Sequence, residues 1–295
     1  MTTDNLSTSP RIIAEIGCNH AGSMEIAEKM INVAAHFCEV DAVKFQKRHP
    51  STLLSPEEYN APHPNAAHSY GATYGEHREF LEFSAEQHRR LAEVCKSAGV
   101  VYATSVWDVP SAQEIIGLAP DFIKIPSATN MNFELVTLLC DAFEGQIHVS
   151  LGMTGRNEEK SLVNFLDARG RLSSTVLYAC TSGYPVPFED ICLGEITRLR
   201  EEYGSMTAGI GFSGHHLGIA ADVAAQTLGA DWIERHFTLD RTMKGTDHAA
   251  SLEPDGMRRL TRDVRAVAKA LTFKEDEILP IEMVQREKLK WQSRQ

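Results

Sequence analysis

The chain lacks any apolar stretch near the ~20 residues that a membrane-crossing helix needs, so no membrane-spanning role is expected. It also lacks a basic surplus: 29 lysines and arginines stand against 40 aspartates and glutamates, a net charge of −11. Such a surface disfavours nucleic acid, and any bound anion must be held by a few local cations in a pocket. No CxxC pair occurs among the six cysteines, Cys18, Cys38, Cys95, Cys140, Cys180 and Cys192. Scattered and mostly in apolar runs, they read as buried free thiols in a reducing cytoplasm rather than as a disulfide framework. The start, MTTDNLSTSPRII, has neither a basic n-region nor an apolar h-region, so no secretion signal is expected. No GxGxxG follows the first β-rich run, which weakens a doubly wound dinucleotide-binding sheet.

What is present is regular alternation. Eight β-rich runs start near Arg11, Asp41, Val100, Asp121, Gln146, Ser174, Ala208 and Asp231. Several are nearly continuous in apolar residues, the mark of parallel strands covered on both faces. Helical patterns such as SMEIAEKMINVAAHF and SAEQHRRLAEVCKSAG separate them. Ser84 with Gln87 reads as a capping box, and Gly99 as a C-terminal stop. Eight βα units in 295 residues predict a (β/α)₈ TIM barrel as a single domain over residues 1–271. Two segments break the alternation. Arg48 to Arg78, after strand two, is expected to be a lid or substrate loop, with a disordered insertion as the alternative. Thr272 to Gln295 is a charged tail expected to pack on the barrel exterior or on a partner subunit.

Barrel active sites form at the carboxyl ends of the strands, and here those ends are polar. His215 and His236 close the last two strands. As parallel neighbours these put two imidazoles on one rim, a geometry suited to a metal with open positions. Lys44 and Lys124 stand inside apolar strands. One buried lysine alone reads as a salt bridge to Glu15 or Glu234. Two lysines with Ser127, Ser150, Ser182 and Ser213 read as an anion pocket for phosphate or carboxylate. Glu15, Glu234 and Asp247 are the carboxylates nearest this chemistry. Asn19, Gln46 and Tyr184 complete the polar rim, and His216 is expected to face outward or to support its neighbours.

The ordered motifs IIAEIGCNHAGSMEIAEKMI, DAVKFQKR, DFIKIPSATNMN, VSLGMT, YACTSGYPVPFEDI, GFSGHHLGIA, WIERHFTLDR and GTDHAASLEP resemble the N-acetylneuraminate (sialic acid) synthase family, from about Arg11 to about Leu271. The resemblance implies a transferase that condenses phosphoenolpyruvate with an aldose such as an N-acylated hexosamine. The product would be a nonulosonic acid, with phosphate leaving by C–O cleavage. It implies a divalent metal, Mn²⁺ or Mg²⁺, on His215 and His236. It implies that Lys44, Lys124, Ser127, Ser150, Ser182 and Ser213 face phosphoenolpyruvate, and that Glu15 and Asp247 face the acceptor sugar.

This chain also departs from the family pattern. It stops before the C-terminal antifreeze-like domain that family members usually carry, so no such domain is expected. Ser127-Ala128-Thr129 replaces SGE, and TSVWD (Thr104 to Asp108) replaces STPFD. Gly214 and His216 replace the Asp and Thr of SDHT. These changes are expected to touch the acceptor side. A homodimer is expected, to cover the rim. Two alternatives stay open. One is a heptulosonate or octulosonate phosphate synthase, whose acceptor phosphate would meet Lys47 and Arg48. The other is a non-catalytic partner of a full-length paralogue.

Overall fold

Successive side chains of a strand point to opposite faces, so each apolar run here serves two cores at once. The computed structural model describes residues 9–291. Its strands are β1 (Arg11–Gly17), β2 (Ala42–Lys47), β3 (Val101–Val106), β4 (Phe122–Ile125), β5 (Gln146–Ser150), β6 (Thr175–Cys180), β7 (Gly209–Gly214) and β8 (Trp232–His236). They form a closed parallel barrel in chain order, sealed where β1 pairs with β8. Outward residues such as Ile12, Ala14, Val43, Phe45 and Ile123 pack in a large core with the surrounding helices. Inward residues Ile13, Ala42, Ala103, Phe122, Val176, Tyr178 and Trp232 form a separate plug inside the barrel. The TIM barrel and the eight strands are as the sequence pattern predicts.

The helices are α1 (Met24–His36), α2 (Pro50–Leu53), α3 (Pro56–Asn60), α4 (Tyr74–Phe80), α5 (Ala85–Ala98), α6 (Val109–Ile116), α7 (Phe133–Ala142), α8 (Arg156–Ala168), α9 (Gly194–Tyr203), α10 (Ala220–Thr227), α11 (Pro254–Ala270) and α12 (Pro280–Leu289). Ser84 and Gln87 form the capping box of α5, and Gly99 ends it in the left-handed region at φ +76°. Among the described residues no helix is long and apolar enough to cross a membrane.

The segment from Arg48 to Arg78 is an ordered insertion of α2, α3 and α4. Capping boxes at Ser55 with Glu58 and at Thr73 with Glu76 start two of these helices. Tyr70 donates its hydroxyl to the Lys244 carbonyl at 2.6 Å, and Gly245 N–H donates to His68 Nδ1 at 3.2 Å. The insertion is thereby stitched to the loop after β8, on the carboxyl rim. In the tail, α12 buries none of its residues, and Phe273, Ile281, Leu289 and Trp291 are exposed.

Three buried histidines make the fold pH-sensitive. Burial lowers His20 and His88 to about 3, and lowers His148 well below its usual value. His20 stacks on Phe83 at 4.1 Å, and His88 Nδ1 lies 2.8 Å from the Tyr102 hydroxyl. The folded state therefore binds fewer of their protons than the unfolded chain, whose histidines titrate near 6.5. Their contribution is complete above that value and falls as pH drops toward 3, by about 1.4 kcal/mol per pH unit for each. The melting temperature should decline steadily from pH 6.5 to pH 5 in thermal scans. A flat profile over that range would contradict the burial of neutral imidazoles.

Candidate active site

Register across the barrel decides what meets in its mouth. Glu15 of β1 lies opposite Lys44 of β2 and His236 of β8. Ser105 pairs with Lys124 across β3 and β4, and Ser213 with Glu234 across β7 and β8. Lys44 Nζ is 2.5 Å from Glu15 Oε2 and donates to Ser105 Oγ at 2.7 Å. Lys124 Nζ reaches Glu234 Oε1 at 2.7 Å, and Lys44 Nζ stands 3.8 Å from the same oxygen. The lysines are thus ion-paired, as one of the two sequence readings expected, and both line one pocket. Burial alone would push Glu234 up, but Lys124 and Lys44 overcome it and bring the carboxyl down to about 2. Glu15 is raised instead, by burial and by Glu234, against the pull of Lys44. Lys124 is lowered by burial, against the pull of Glu234. Its ammonium lies 4.2 Å from the Tyr178 ring centroid, whose hydroxyl meets His148 Nδ1 at 2.9 Å. Gly211 makes room for that ring, since a Cβ there would lie 2.4 Å from it.

The pocket above these charges has a volume of about 300 Å³. Glu15, Lys44, Gln46, Lys124, Ser127, Ser150, Ser182, Tyr184, Ser213, His215, Glu234 and His236 all contribute to its wall. Gln46 donates to Glu15 Oε1 at 2.9 Å. The sequence reading gave no pocket role to Ser105, Trp107, Met153 and Cys180, which also line it. Ser105 was detectable from strand parity, since it shares the inward face of β3 with Ala103. Gly152 was missed too. Its N–H donates to Ser127 Oγ at 3.1 Å, and a Cβ added there would stand 2.6 Å from Ser182 Oγ and 2.7 Å from Ser127 Oγ. The glycine leaves the cradle between these hydroxyls open. Gly152→Ala should raise the KM for any anion held in this cradle at least about tenfold with little change in melting temperature, since the side chain occupies ligand space. An unchanged KM would place the anion elsewhere.

The two histidines meet as their strand positions predict, with ring centroids 5.4 Å apart. His215 donates its Nδ1–H to the Thr181 carbonyl at 3.2 Å, which leaves the Nε2 lone pair free. Burial, with His236 beside it, lowers His215 to about 3, so the ring is neutral near pH 7. His236 Nδ1 and Glu234 Oε2 are buried and have no hydrogen-bond partner among the described residues. Among the described residues no set of three or more His, Cys, Asp and Glu side chains converges with metal-ligand spacing. The pair thus fits a divalent ion held by two imidazoles, with substrate oxygens or water in the remaining positions. Tyr184 stands over it, its ring 4.5 Å from His215.

Several expected site residues lie elsewhere. Asn19 donates its amide N–H groups to the Phe237 carbonyl and to Ser251 Oγ, both at 2.9 Å, and clamps two loops. Asp247 sits partly buried in the loop after β8, outside the pocket wall. Lys47 pairs with Glu114 at 3.4 Å and Arg48 with Glu82 at 2.5 Å, so neither presents a free charge to the pocket. Gly214 and His216 repack the outer side of the sheet rather than the acceptor side. His216 is fully buried beside Arg235 and Asp222, with Arg235 donating to its Nε2 at 3.0 Å. A Cβ at position 214 would come within 2.9 Å of the His216 ring, so glycine and histidine there form one packing solution.

The geometry has counterparts among known proteins. The NeuB family model matches residues 30–276. N-acetylneuraminate-9-phosphate synthase of Homo sapiens is 36% identical over 278 residues, covering 94% of this chain and 76% of that protein. N,N'-diacetyllegionaminic acid synthase of Campylobacter jejuni is 32% identical, covering 88% of this chain and 77% of its own length. The crystal structure of N-acetylneuraminic acid (sialic acid) synthetase from Leptospira borgpetersenii matches with a TM-score of 0.81 at 25% identity, covering 97% of this chain and 94% of that one. With the family model spanning most of the barrel, the chain is an enzyme of the NeuB family.

Proposed function

We propose that this enzyme condenses phosphoenolpyruvate with an aldose, such as an N-acylated hexosamine, in the cytoplasm to give a nonulosonic acid. One observation carries the reading: two buried lysines, four serines and an imidazole pair converge on one pocket. The serine hydroxyls and Lys124 suit the phosphate and carboxylate of phosphoenolpyruvate. C3 of phosphoenolpyruvate then attacks the aldehyde carbon, and positive character develops at C2. Water adds to C2, and phosphate leaves by C–O cleavage. Glu234 is ionised and adjacent to both lysines, so it is placed to accept the proton of that water. Lys44 and Lys124 offset the charge gathering on the departing phosphate. A divalent metal, Mn²⁺ or Mg²⁺, held by His215 and His236 would supply Lewis acidity at the aldehyde oxygen. Glu15, hydrogen-bonded to Gln46, faces the acceptor end. The exposed apolar residues of α12 support a homodimer.

The test is incubation of purified protein with Mn²⁺, phosphoenolpyruvate and a panel of aldoses. Phosphate and a 2-keto acid should appear in equal amounts. Phosphoenolpyruvate labelled with ¹⁸O in its bridging position should yield labelled phosphate. No phosphate release with any acceptor would sink the proposal. The heptulosonate-type alternative loses its support, because Lys47 and Arg48 are both engaged by glutamates.

A further inference from the structure

The paired register of β7 and β8 ends at Gly214 opposite Arg235, so His215 lies one residue beyond it. Strand register alone does not set its place, although Val186 N–H donates to its carbonyl at 3.0 Å. Packing does little for the turn that follows. Leu217 is exposed, and nothing stands within 4 Å of the place a Cβ would take on Gly218. The turn is held instead by a side chain of the neighbouring strand. Arg235 alternates along β8 with Glu234 and His236, which line the pocket, so it points away from the pocket and is buried behind the sheet. Its Nη2 donates to the His216 carbonyl. Its Nη1 donates to the Gly218 carbonyl at 2.8 Å and lies 3.0 Å from His216 Nε2. Asp222, in the first turn of α10, supplies the counter-charge at Nη1. One guanidinium thus ties together β8, the turn after β7 and α10.

A fully buried Arg–Asp pair is a poor device for stability alone, because desolvation offsets most of its attraction. This one is also incomplete. Among the described residues Arg235 Nε, Asp222 Oδ1 and His216 Nδ1 are buried without hydrogen-bond partners. A network shaped for stability alone would be satisfied or replaced by apolar side chains. What this pair gives is direction. The planar fork of Arg235 holds two carbonyls of one turn at once, which an apolar side chain or an ammonium does not.

We propose that Arg235, braced by Asp222, is a positioning residue: it fixes the backbone at His215 and His216 so that the His215 imidazole keeps its place opposite His236. The chain neighbours of Arg235 are Glu234 and His236, so the same side chain sets the β8 side of the site against the β7 side. His216 gains a role as well, since its carbonyl and ring are the contacts of the clamp on the turn. The effect on metal binding rests on the ion proposed above for the two imidazoles.

Arg235→Met, Arg235→Lys and the double variant Arg235→Met with Asp222→Leu separate positioning from stability, with Mn²⁺ alone as the probe. Arg235→Met strands the Asp222 carboxylate and should melt well below the wild type. The double variant strands no charge, so much of the melting temperature should return. Mn²⁺ affinity, followed by calorimetry, should not return with it, and should stay roughly 10- to 100-fold weaker than in the wild type. The sign matters, because loss of a nearby positive charge would by itself favour a divalent cation. Arg235→Lys keeps the charge without the fork, and its Mn²⁺ affinity should lie between the wild type and the double variant. Nitrogen-15 NMR of the histidine side chains at pH 7 reads the position without metal. His215 should show one neutral tautomer in the wild type, its proton on Nδ1 toward the Thr181 carbonyl, and averaged tautomers in the double variant. Return of either signal to its wild-type value along with the melting temperature would overturn the inference and leave Arg235 serving the fold alone. A wild type that takes up no Mn²⁺, with His215 still averaged in the double variant, would keep the positioning role and sink the metal reading. If the double variant folds poorly, Arg235→Lys decides on the same two signals.

Discussion

Lys124→Met is expected to lower kcat/KM for phosphoenolpyruvate by about 10²–10³-fold and to destabilise the fold in the same stroke. The ammonium is 2.7 Å from Glu234 Oε1, and both side chains are almost wholly buried. Removing one partner of such a pair leaves a charge without compensation, which costs about 3–5 kcal/mol. Lys44 remains 3.8 Å from the same oxygen and Ser213 Oγ 3.2 Å, so the lower end applies. About 3 kcal/mol corresponds to a fall of roughly 6 °C in melting temperature for a domain of this size. The double variant Lys124→Met with Glu234→Gln separates the two roles. It removes both charges, so much of the lost stability should return. Activity should not return, because the cation proposed to meet the substrate's anion is still gone. Recovery of turnover along with stability would show that Lys124 serves the fold alone.

The lysines also show why part of the site is legible in the sequence. A charged residue inside an apolar strand breaks the pattern, and strand parity tells which face it takes. Glu15, Lys44, Lys124 and Glu234 are inward residues of four strands, and barrel closure brings them together. The fold is legible for a related reason: parallel strands buried on both faces have no solvent side to alternate with, and eight such runs stand out.

Other features have no such signature. An asparagine that clamps two loops and one that binds a ligand look the same in sequence, so Asn19 reads as a rim residue and proves to be a clamp. The role of Gly152 depends on two serine hydroxyls from other strand ends, which only the barrel brings within 3 Å. The helices of the insertion have four to seven residues, too few for an apolar period to declare itself. Their capping pairs, Ser55 with Glu58 and Thr73 with Glu76, are the available signal. Arg235 and Asp222 form their buried pair behind the sheet, on residues whose spacing alone suggests nothing.

His215→Ala should separate chemistry from stability in a way that Lys124→Met cannot. Among the described residues the imidazole makes one hydrogen bond, to the Thr181 carbonyl, and pairs with no carboxylate. Its loss leaves no buried charge stranded, so the melting temperature should fall by less than in Lys124→Met. Turnover should collapse by about 10³-fold or more, because the proposed ion would lose half of its two protein ligands. Binding of Mn²⁺ to the free enzyme, followed by water-proton relaxation or calorimetry, should weaken by at least about tenfold to a hundredfold. His236→Ala should match it in both measurements, since the two rings face one another across 5.4 Å. The comparison with Gly152→Ala then has a definite form. That variant should bind Mn²⁺ normally and lose affinity for phosphoenolpyruvate, whereas the histidine variants lose the metal first. Unaltered Mn²⁺ affinity in both histidine variants would leave the imidazoles as wall residues of an anion pocket, and the Lewis-acid part of the mechanism would have to be abandoned.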